Sequence, residues 1–528
     1  MAQAHVAADT RLPIREWTVS DLLDHAAHVA GDRSAVRDGD LHWTYSELLR
    51  DSRRLAAYLQ TCFSPGSHVA IWGVNSGPWL LFQLAAARAG LVLVTLNPAL
   101  RGAEVEALLA QSRSVGLIMD SEHRGTDLTA VIAGCRGGLP LLRTVLDLSD
   151  WRALLDQAPD TSTEVAVSPS DTALLLYTSG TTGKPKGVML HHRGIVNNAL
   201  LGSERYELAD GLAWLGVLPF FHVGGSVTTN LGCIGRLGTN IIVNAFEAGS
   251  VLRLMETQRV AWFPCVPTMA IAMVEHPDFP TTDLSALQLV LTGGTVITPD
   301  FVHLIEERFK VGVQVMFGQT EAGGAMCKTL RSDPIEVISQ TVGRPYPHTE
   351  MRIADVQDGH TVDAGTVGEI RLRSPFMTTG YFDNPDATAS VFDAAGYLRT
   401  GDLGTLDERG YLRITGRLKE MIIRGGENIY PREIEDRLGA FPGVAECAVV
   451  GVPHPRWGEE VAVAIRCSAG QSIDIEEARD FLLDRIARHK VPKMWKLVDD
   501  FPRTPSGKIQ KFAVTDWFLD ETANHGAG

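Results

Sequence analysis

Apolar positions recur at helical spacing over Thr18 to Ala30 and Thr44 to Leu59. The second stretch opens with Thr44 three residues before Glu47, a Ser/Thr-x-x-Glu start ahead of Leu48 and Leu49. A turn at Asp38-Gly39 lies between them. The rhythm then changes: His68 to Trp72 reads as a strand, Pro78 to Ala89 as a helix, and Leu91 to Leu96 as a strand closed by Asn97-Pro98. This is β-α-β, which requires parallel strands. A helix over Ala103 to Gln111, a strand over Val115 to Met119 and a further run, Thr144-Val145-Leu146, continue the alternation and predict a helix-covered α/β sheet.

A second α/β set follows, with strands at Trp214 to Leu218, Asn240 to Val243, Trp262 to Val266, Leu289 to Leu291 and Val313 to Met316. Most run into Gly or Pro within two residues. Ligands of open α/β sheets sit outside the carboxyl ends of the strands, so the tips Pro219 to Gly225, Thr292 to Gly294 and Phe317 to Gly324 are expected to line one cleft. From Val342 to Thr415 the pattern turns to β, with Gly396-Tyr397-Leu398-Arg399 echoed by Gly410-Tyr411-Leu412-Arg413 across the turn Asp407 to Gly410, as in a hairpin. Beyond Arg417 a small α/β set appears. Pro431 opens a helix, strands follow at Glu446 to Val450 and Val461 to Arg466, a helix is read over Ile475 to Ala487, and another strand over Trp495 to Val498. Two domains are therefore expected, 1–417 and 418–528.

The apolar run Ala173 to Leu176 reads as a buried strand delivering the chain into Tyr177-Thr178-Ser179-Gly180-Thr181-Thr182-Gly183-Lys184-Pro185-Lys186-Gly187. Six successive hydroxyl or glycine positions followed by two lysines suit a polyphosphate, because backbone N–H groups can turn inward beside hydroxyls and ammonium groups. Walker spacing is absent: Gly180 and Gly183 stand too close together, and Pro185 follows Lys184. A solvated turn would explain the polarity but not two lysines around a proline.

Composition narrows the reading. A chain of 528 residues with 45% hydrophobic and 21% charged residues is an ordinary globular protein of two or three domains, and no apolar run approaches the roughly 18 residues of a membrane span. Met1 to Arg11 lacks the pattern of a signal peptide, so a cytoplasmic enzyme is expected. A net charge of −15 argues against nucleic-acid binding and leaves phosphates to be met by local cations. The seven cysteines are scattered without a Cys-x-x-Cys pair, which argues against zinc, iron–sulfur or a disulfide framework.

Six stretches in order resemble the adenylate-forming superfamily of acyl- and aryl-CoA synthetases, nonribosomal adenylation domains and luciferases. They are Tyr177 to Gly187, Leu218-Pro219-Phe220-Phe221-His222, Phe317-Gly318-Gln319-Thr320-Glu321, Thr400-Gly401-Asp402-Leu403, Gly416 to Lys419 with Gly425 to Ile429, and Pro505-Ser506-Gly507-Lys508. The resemblance implies a large N-terminal domain of two α/β subdomains plus a distorted β-barrel, and a small mobile α+β C-terminal domain. It implies ATP, Mg²⁺ and coenzyme A as participants. An acid is joined to the α-phosphate of ATP with loss of pyrophosphate, and the acyl group then passes to the thiol of CoA with loss of AMP.

On the same resemblance, Thr178, Ser179, Gly180, Thr181, Thr182 and Gly183 cradle phosphates, with Lys184 and Lys186 as countercharge. Glu321 with Thr181 holds Mg²⁺. Gly293, Gly294 and Phe317 flank the adenine, Gly318 and Thr320 belong to the ATP site, Asp402 binds ribose and Arg417 contacts ribose or phosphate. Many relatives carry tyrosine where this chain has Phe317, and Glu420 stands where aspartate is common. Lys508 resembles the catalytic lysine of adenylation, Lys419 the hinge, and Arg424, Gly425, Gly426 and Glu427 the loop of the CoA channel. His222, Gly224, Gly225, Gly293, Gly318 and Ala322 resemble the acyl pocket, where the small residues, with Gly294, Gly323 and Gly324, are expected to leave room for a chain or a bulky ring.

No cationic side chain is evident there to select a second carboxylate. The acid expected is a medium- or long-chain fatty acid, with a bulky alicyclic or aromatic acid, or delivery to a carrier protein, as alternatives. Monomer and homodimer are both open. A phosphotransferase is disfavoured by the missing Walker spacing, and a hydrolase because Gly224-Gly225-Ser226-Val227-Thr228 lacks the closing glycine of a nucleophile elbow.

Overall fold

A computed structural model describes residues 2–160, 165–178, 185–294, 297–425, 427–468, 470–503 and 509–525. The chain divides into two compact units, a larger one of Val6–Met351 with Leu372–Arg399, and a smaller one of Met1–His5, Arg352–Arg371 and Thr400–Gly528.

In the larger unit, the first α/β set forms a seven-stranded sheet in the order Gly380–Tyr381, Lys186–His191, Thr172–Thr178, Val92–Leu96, His68–Trp72, Gly116–Met119, Thr144–Asp147. From Thr172–Thr178 onward the strands are parallel, while the two at the other edge are antiparallel. Val92–Leu96 is buried at every position, which is why it reads as an apolar run interrupted only by Thr95 rather than as an alternation. The helix Gly77–Arg88, started by the Ser76 hydroxyl accepting from the Trp79 N–H, is buried on nearly all faces and shows no polar stripe.

The second set forms a nine-stranded sheet in the order Arg344–Pro345, Gly324–Lys328, Gly312–Gln319, Leu289–Gly293, Trp262–Cys265, Ala213–Gly216, Thr239–Ile242, Ser34–Asp38, Leu41–Thr44. Its interior strands are parallel, so their carboxyl ends share one edge. The hairpin Ser34–Thr44 is an addition to the expectation, which held only a turn there; its strands are too short for their alternation to register. Another difference is the segment after Leu218. The tip expected to run to Gly225 ends instead in a π-helix, Gly224–Leu231. Buried polar side chains support this wider turn: the Thr229 hydroxyl donates to the Gly224 carbonyl at 2.9 Å, Gln83 donates to the Ser226 carbonyl at 3.0 Å, and Asn240 donates to Asn230 at 2.9 Å.

The β texture is realised as a five-stranded sheet of His5–Val6, Glu350–Ala354, Gly368–Arg373, Leu398–Leu406 and Leu412–Arg417. A second sheet pairs Val444–His454 with Gly458–Cys467, which also takes Met494–Val498 in parallel and joins the hairpin Ile422–Arg424 and Glu427–Ile429. The helix expected to reach Ala487 ends at Leu483. Helices Pro431–Leu438 and Ile475–Leu483 cover one face through Ile434 and Leu482; Lys511–His525, which the sequence reading did not include, covers the other through Val514 and Phe518. Among the described residues no helix is long and apolar enough to cross a membrane.

Two adjacent histidines start the helix His192–Glu204: Nδ1 of His191 accepts from the Gly194 N–H, and Nδ1 of His192 accepts from the Val19 N–H at the start of the helix Val19–Ala30. Burial pushes His192 down from 6.5 to about 4, so it is neutral in the folded chain and charges more readily once unfolded. A lowered value stabilises the fold relative to its protonated form above 6.5, and that stability drains away as pH falls towards 4; the full shift corresponds to about 3 kcal/mol. The expected result is that replacing His192 by Asn flattens the loss of unfolding free energy between pH 6.5 and 4 by about that amount in denaturant titrations.

Candidate active site

The strand Thr172–Thr178 and its antiparallel neighbour Lys186–His191 end with Thr178 opposite Lys186. Both candidate phosphate contacts thus stand at one mouth; Ser179, Gly180, Thr181, Thr182, Gly183 and Lys184 lie outside the described residues. The strand Gly312–Gln319 runs to the same place and breaks into the short turn Thr320–Ala322, whose exit Gly323 has φ +79, a conformation that excludes a β-carbon at low cost. The turn presents Glu321. Its Oε1 accepts from the Tyr381 hydroxyl at 2.9 Å and from the Thr178 hydroxyl at 3.4 Å, and its main-chain carbonyl accepts from the Thr378 N–H at 2.8 Å. The Lys186 ammonium lies over the Tyr381 ring, 5.0 Å from its centre. Burial, followed by the Glu321 carboxylate, drives the Tyr381 phenol far above its ordinary value, so it stays protonated and donates.

Carboxylate and hydroxyl oxygens side by side are the donors a hard divalent cation prefers, so Glu321 and Thr178 fit Mg²⁺ chemically. The proposed second ligand, Thr181, lies outside the described residues. Sequence reasoning did not find Tyr381 or Thr378: Gly380–Tyr381 is a two-residue strand with no periodicity to detect.

Gly293 pairs with Met316 across parallel strands, which sets Gly293 and exposed Gly294 beside half-buried Phe317. The glycines meant to make room for an acid have another reason to be glycine. A β-carbon at Gly225 would enter the Pro219 carbonyl, one at Gly293 the Met316 carbonyl, one at Gly318 the Gly324 carbonyl and one at Gly323 the Phe376 carbonyl. Their smallness lets backbones approach; at Gly294 a β-carbon would meet open space but φ +73 itself favours glycine, and only Gly224 has neither reason. Thr320 and Ala322 are buried, whereas His222 is exposed, its Nδ1 accepting from the Gly224 N–H at 3.2 Å. The segment carrying His222 is fixed to the first sheet by two residues the sequence did not flag. Asn75 donates to the Leu218 carbonyl and accepts from the Phe220 N–H, and Thr95 donates to the Phe221 carbonyl. A threonine inside an otherwise apolar buried strand was the available signal for Thr95.

In the smaller unit Asp402 faces Arg417 across neighbouring strands, with Oδ1 3.1 Å from Nε. Lys419 is exposed on the turn Leu418–Glu420. Glu420, the unusual residue beside it, is held by Lys511 at 3.0 Å; the same ammonium lies 2.8 Å from Glu435 on the helix Pro431–Leu438. Burial alone would lower the Lys511 ammonium, but Glu435 and Glu420 together raise it. Arg424 and Glu427 pair at the tip of their hairpin, next to Gly425, and the Arg424 guanidinium makes two bonds to Glu460 while stacking 5.2 Å from the centre of Trp457. Gly426 and Lys508 lie outside the described residues.

The AMP-binding enzyme family matches residues 23–382, and the AMP-binding enzyme C-terminal domain matches residues 433–508. The chain is 36% identical over 516 residues to the 3-[(3aS,4S,7aS)-7a-methyl-1,5-dioxo-octahydro-1H-inden-4-yl]propanoyl:CoA ligase of Rhodococcus jostii (strain RHA1), covering 94% of this chain and 97% of that one. It is 31% identical over 551 residues to the mitochondrial medium-chain acyl-CoA ligase ACSF2 of Homo sapiens, covering 97% and 89%. The crystal structure of ATP-bound MatB from Rhodopseudomonas palustris superposes with a TM-score of 0.88 at 27% identity, over 96% of this chain and 99% of that one.

Replacing Lys511 by Met leaves two carboxylates without their shared cation. The side chain is 22% exposed, which discounts the cost of a fully buried broken pair to about 2 kcal/mol. Thermal unfolding of the Lys511→Met protein is expected to show that loss. Because the pair raises the lysine, its contribution persists below the ordinary lysine value and is lost as pH rises through the raised one.

Proposed function

The chain belongs to the AMP-binding enzyme family and is an acid–thiol ligase of the AMP-forming acyl-CoA synthetase type, and from that premise we propose that it joins a medium- or long-chain fatty acid to coenzyme A. Two anions must first react: the carboxylate oxygen attacks the α-phosphorus of ATP and pyrophosphate leaves. The CoA thiol, as its thiolate, then attacks the acyl carbon and AMP leaves. In the first step charge accumulates on phosphate oxygens, so fixed donors and cations supply most of the acceleration. Thr178 and the following Ser179 to Gly183 bind the departing β- and γ-phosphates, with Lys184 and Lys186 balancing their charge. Glu321 and Thr181 would hold Mg²⁺, which would supply Lewis-acid neutralisation of phosphate charge. Phe317, Gly293 and Gly294 receive the adenine beside Gly318 and Thr320, and Asp402 accepts from the ribose hydroxyls with Arg417 beside it. Lys508 donates to the acid carboxylate and α-phosphate during adenylation. Lys419 is the hinge about which 418–528 turns for the second step, when Arg424 to Glu427 face the CoA.

The observation that carries this reading is Glu321, a carboxylate fixed by Tyr381 and Thr178 at the mouth of the glycine- and hydroxyl-rich loop, with Lys186 alongside. A kinase-like phosphotransferase has no comparable support, since Walker spacing is missing from that loop. For the acid, Pro219 to Gly225 and Phe317 to Gly324 carry no lysine or arginine, which supports an uncharged tail. A bulky alicyclic acid is the second reading, favoured by the ring-bearing acid in the name of the Rhodococcus relative.

Lys508→Ala is expected to lose acid-dependent pyrophosphate exchange by about 100-fold or more while still making thioester from preformed acyl-adenylate. Equal loss of both steps would remove Lys508 from its role. Lys419→Pro is expected to behave in the opposite way, sparing adenylation and slowing thioester formation; a matching fall in adenylation would end the hinge assignment. A panel of fatty, alicyclic and aromatic acids assayed for AMP release with and without CoA selects the substrate class, and release from the fatty acids alone is the expected result.

A further inference from the structure

We infer that Tyr381 is a positioning residue for the Glu321 carboxylate, fixing which of its oxygens is turned to a divalent cation. The inference rests on the reading of Glu321 as the Mg²⁺ ligand and adds a residue to it. A glutamate side chain has three torsions to order, and Mg²⁺ demands near-ideal geometry at short distance, so a carboxylate free to swing binds it poorly. Here the short segment 378–381 fixes Glu321 twice. The Thr378 N–H holds its main-chain carbonyl at 2.8 Å, and the Tyr381 hydroxyl holds Oε1 at 2.9 Å. Thr178 also donates to Oε1, at 3.4 Å, which leaves Oε2 as the oxygen that would meet a metal.

The holder is itself fixed. Tyr381 lies opposite Val188 on the strand leading from the phosphate loop, its N–H donates to the Thr388 hydroxyl at 2.9 Å, and the Thr378 hydroxyl donates to the Met189 carbonyl at 2.7 Å. The Lys186 ammonium lies on the face of the same ring. One side chain therefore sets the spacing between an anion that would meet the metal and a cation that would meet phosphate. Its two functions separate chemically: the hydroxyl serves Glu321, the ring serves Lys186.

The experiment is calorimetric titration of ATP into the full-length protein over a series of Mg²⁺ concentrations. Tyr381→Phe keeps the ring and its packing, so metal-free ATP affinity stays within about twofold, while the Mg²⁺ concentration giving half of the metal-dependent enhancement rises about tenfold, the loss expected for one hydrogen bond to a charged group. Tyr381→Leu, which also removes the ring, weakens metal-free ATP binding as well. A residue that served packing alone would shift the melting temperature and leave the Mg²⁺ half-point where it was. Glu321→Gln separates the two claims. If it raises the half-point and Tyr381→Phe does not, the inference is overturned and the metal reading stands; if neither variant moves it, both are overturned.

Discussion

A protein carrying a net charge of −15 has to bring a carboxylate against a triphosphate, so its chemistry depends on a few local donors and cations held in fixed positions. The clearest such arrangement is the contact of Tyr381 with Glu321 and Lys186, with the Thr178 hydroxyl on the same carboxylate oxygen. It holds a carboxylate at the hydroxyl of one phenol and an ammonium over the face of its ring. Both charges are held by rigid elements rather than by the loop that gives the site its sequence signature.

The architecture explains how these residues meet. Parallel strands of two sheets deliver their carboxyl ends to the site, but the decisive side chains sit where parallel order stops. Lys186 begins an antiparallel strand added to the first sheet, Tyr381 lies on a two-residue strand beyond it, and Glu321 occupies the turn before the antiparallel strand Gly324–Lys328 of the second. Antiparallel edges double the chain back at the strand tips.

Much of this was legible in the sequence, and the physical reason is periodicity. Buried parallel strands such as Val92–Leu96 are apolar but for Thr95 and run into Gly or Pro, and the helix after Thr44 announces its start with a capping box. The family motifs supplied Glu321, Asp402 and Arg417, and the structure pairs the last two across strands. What was not legible has no period. Gly380–Tyr381 is too short, the π-helix Gly224–Leu231 needs partners from Gln83 and Asn240 far along the chain, and the ion pairs of Lys511 with Glu420 and Glu435 join three separate elements. The glycines carry a reason the sequence does not display: Gly225, Gly293, Gly318 and Gly323 have backbone lying where a β-carbon would stand.

Activation of the acid by bonding to the α-phosphorus is tested by following oxygen transfer. With a fatty acid carrying ¹⁸O in both carboxylate positions, an acyl-adenylate route leaves one labelled oxygen in the thioester and delivers the other to AMP, detectable by mass spectrometry after turnover with ATP and CoA. Label in AMP is the predicted result. Unlabelled AMP, or label recovered in inorganic phosphate as a phosphotransferase route through an acyl phosphate would give, would contradict it.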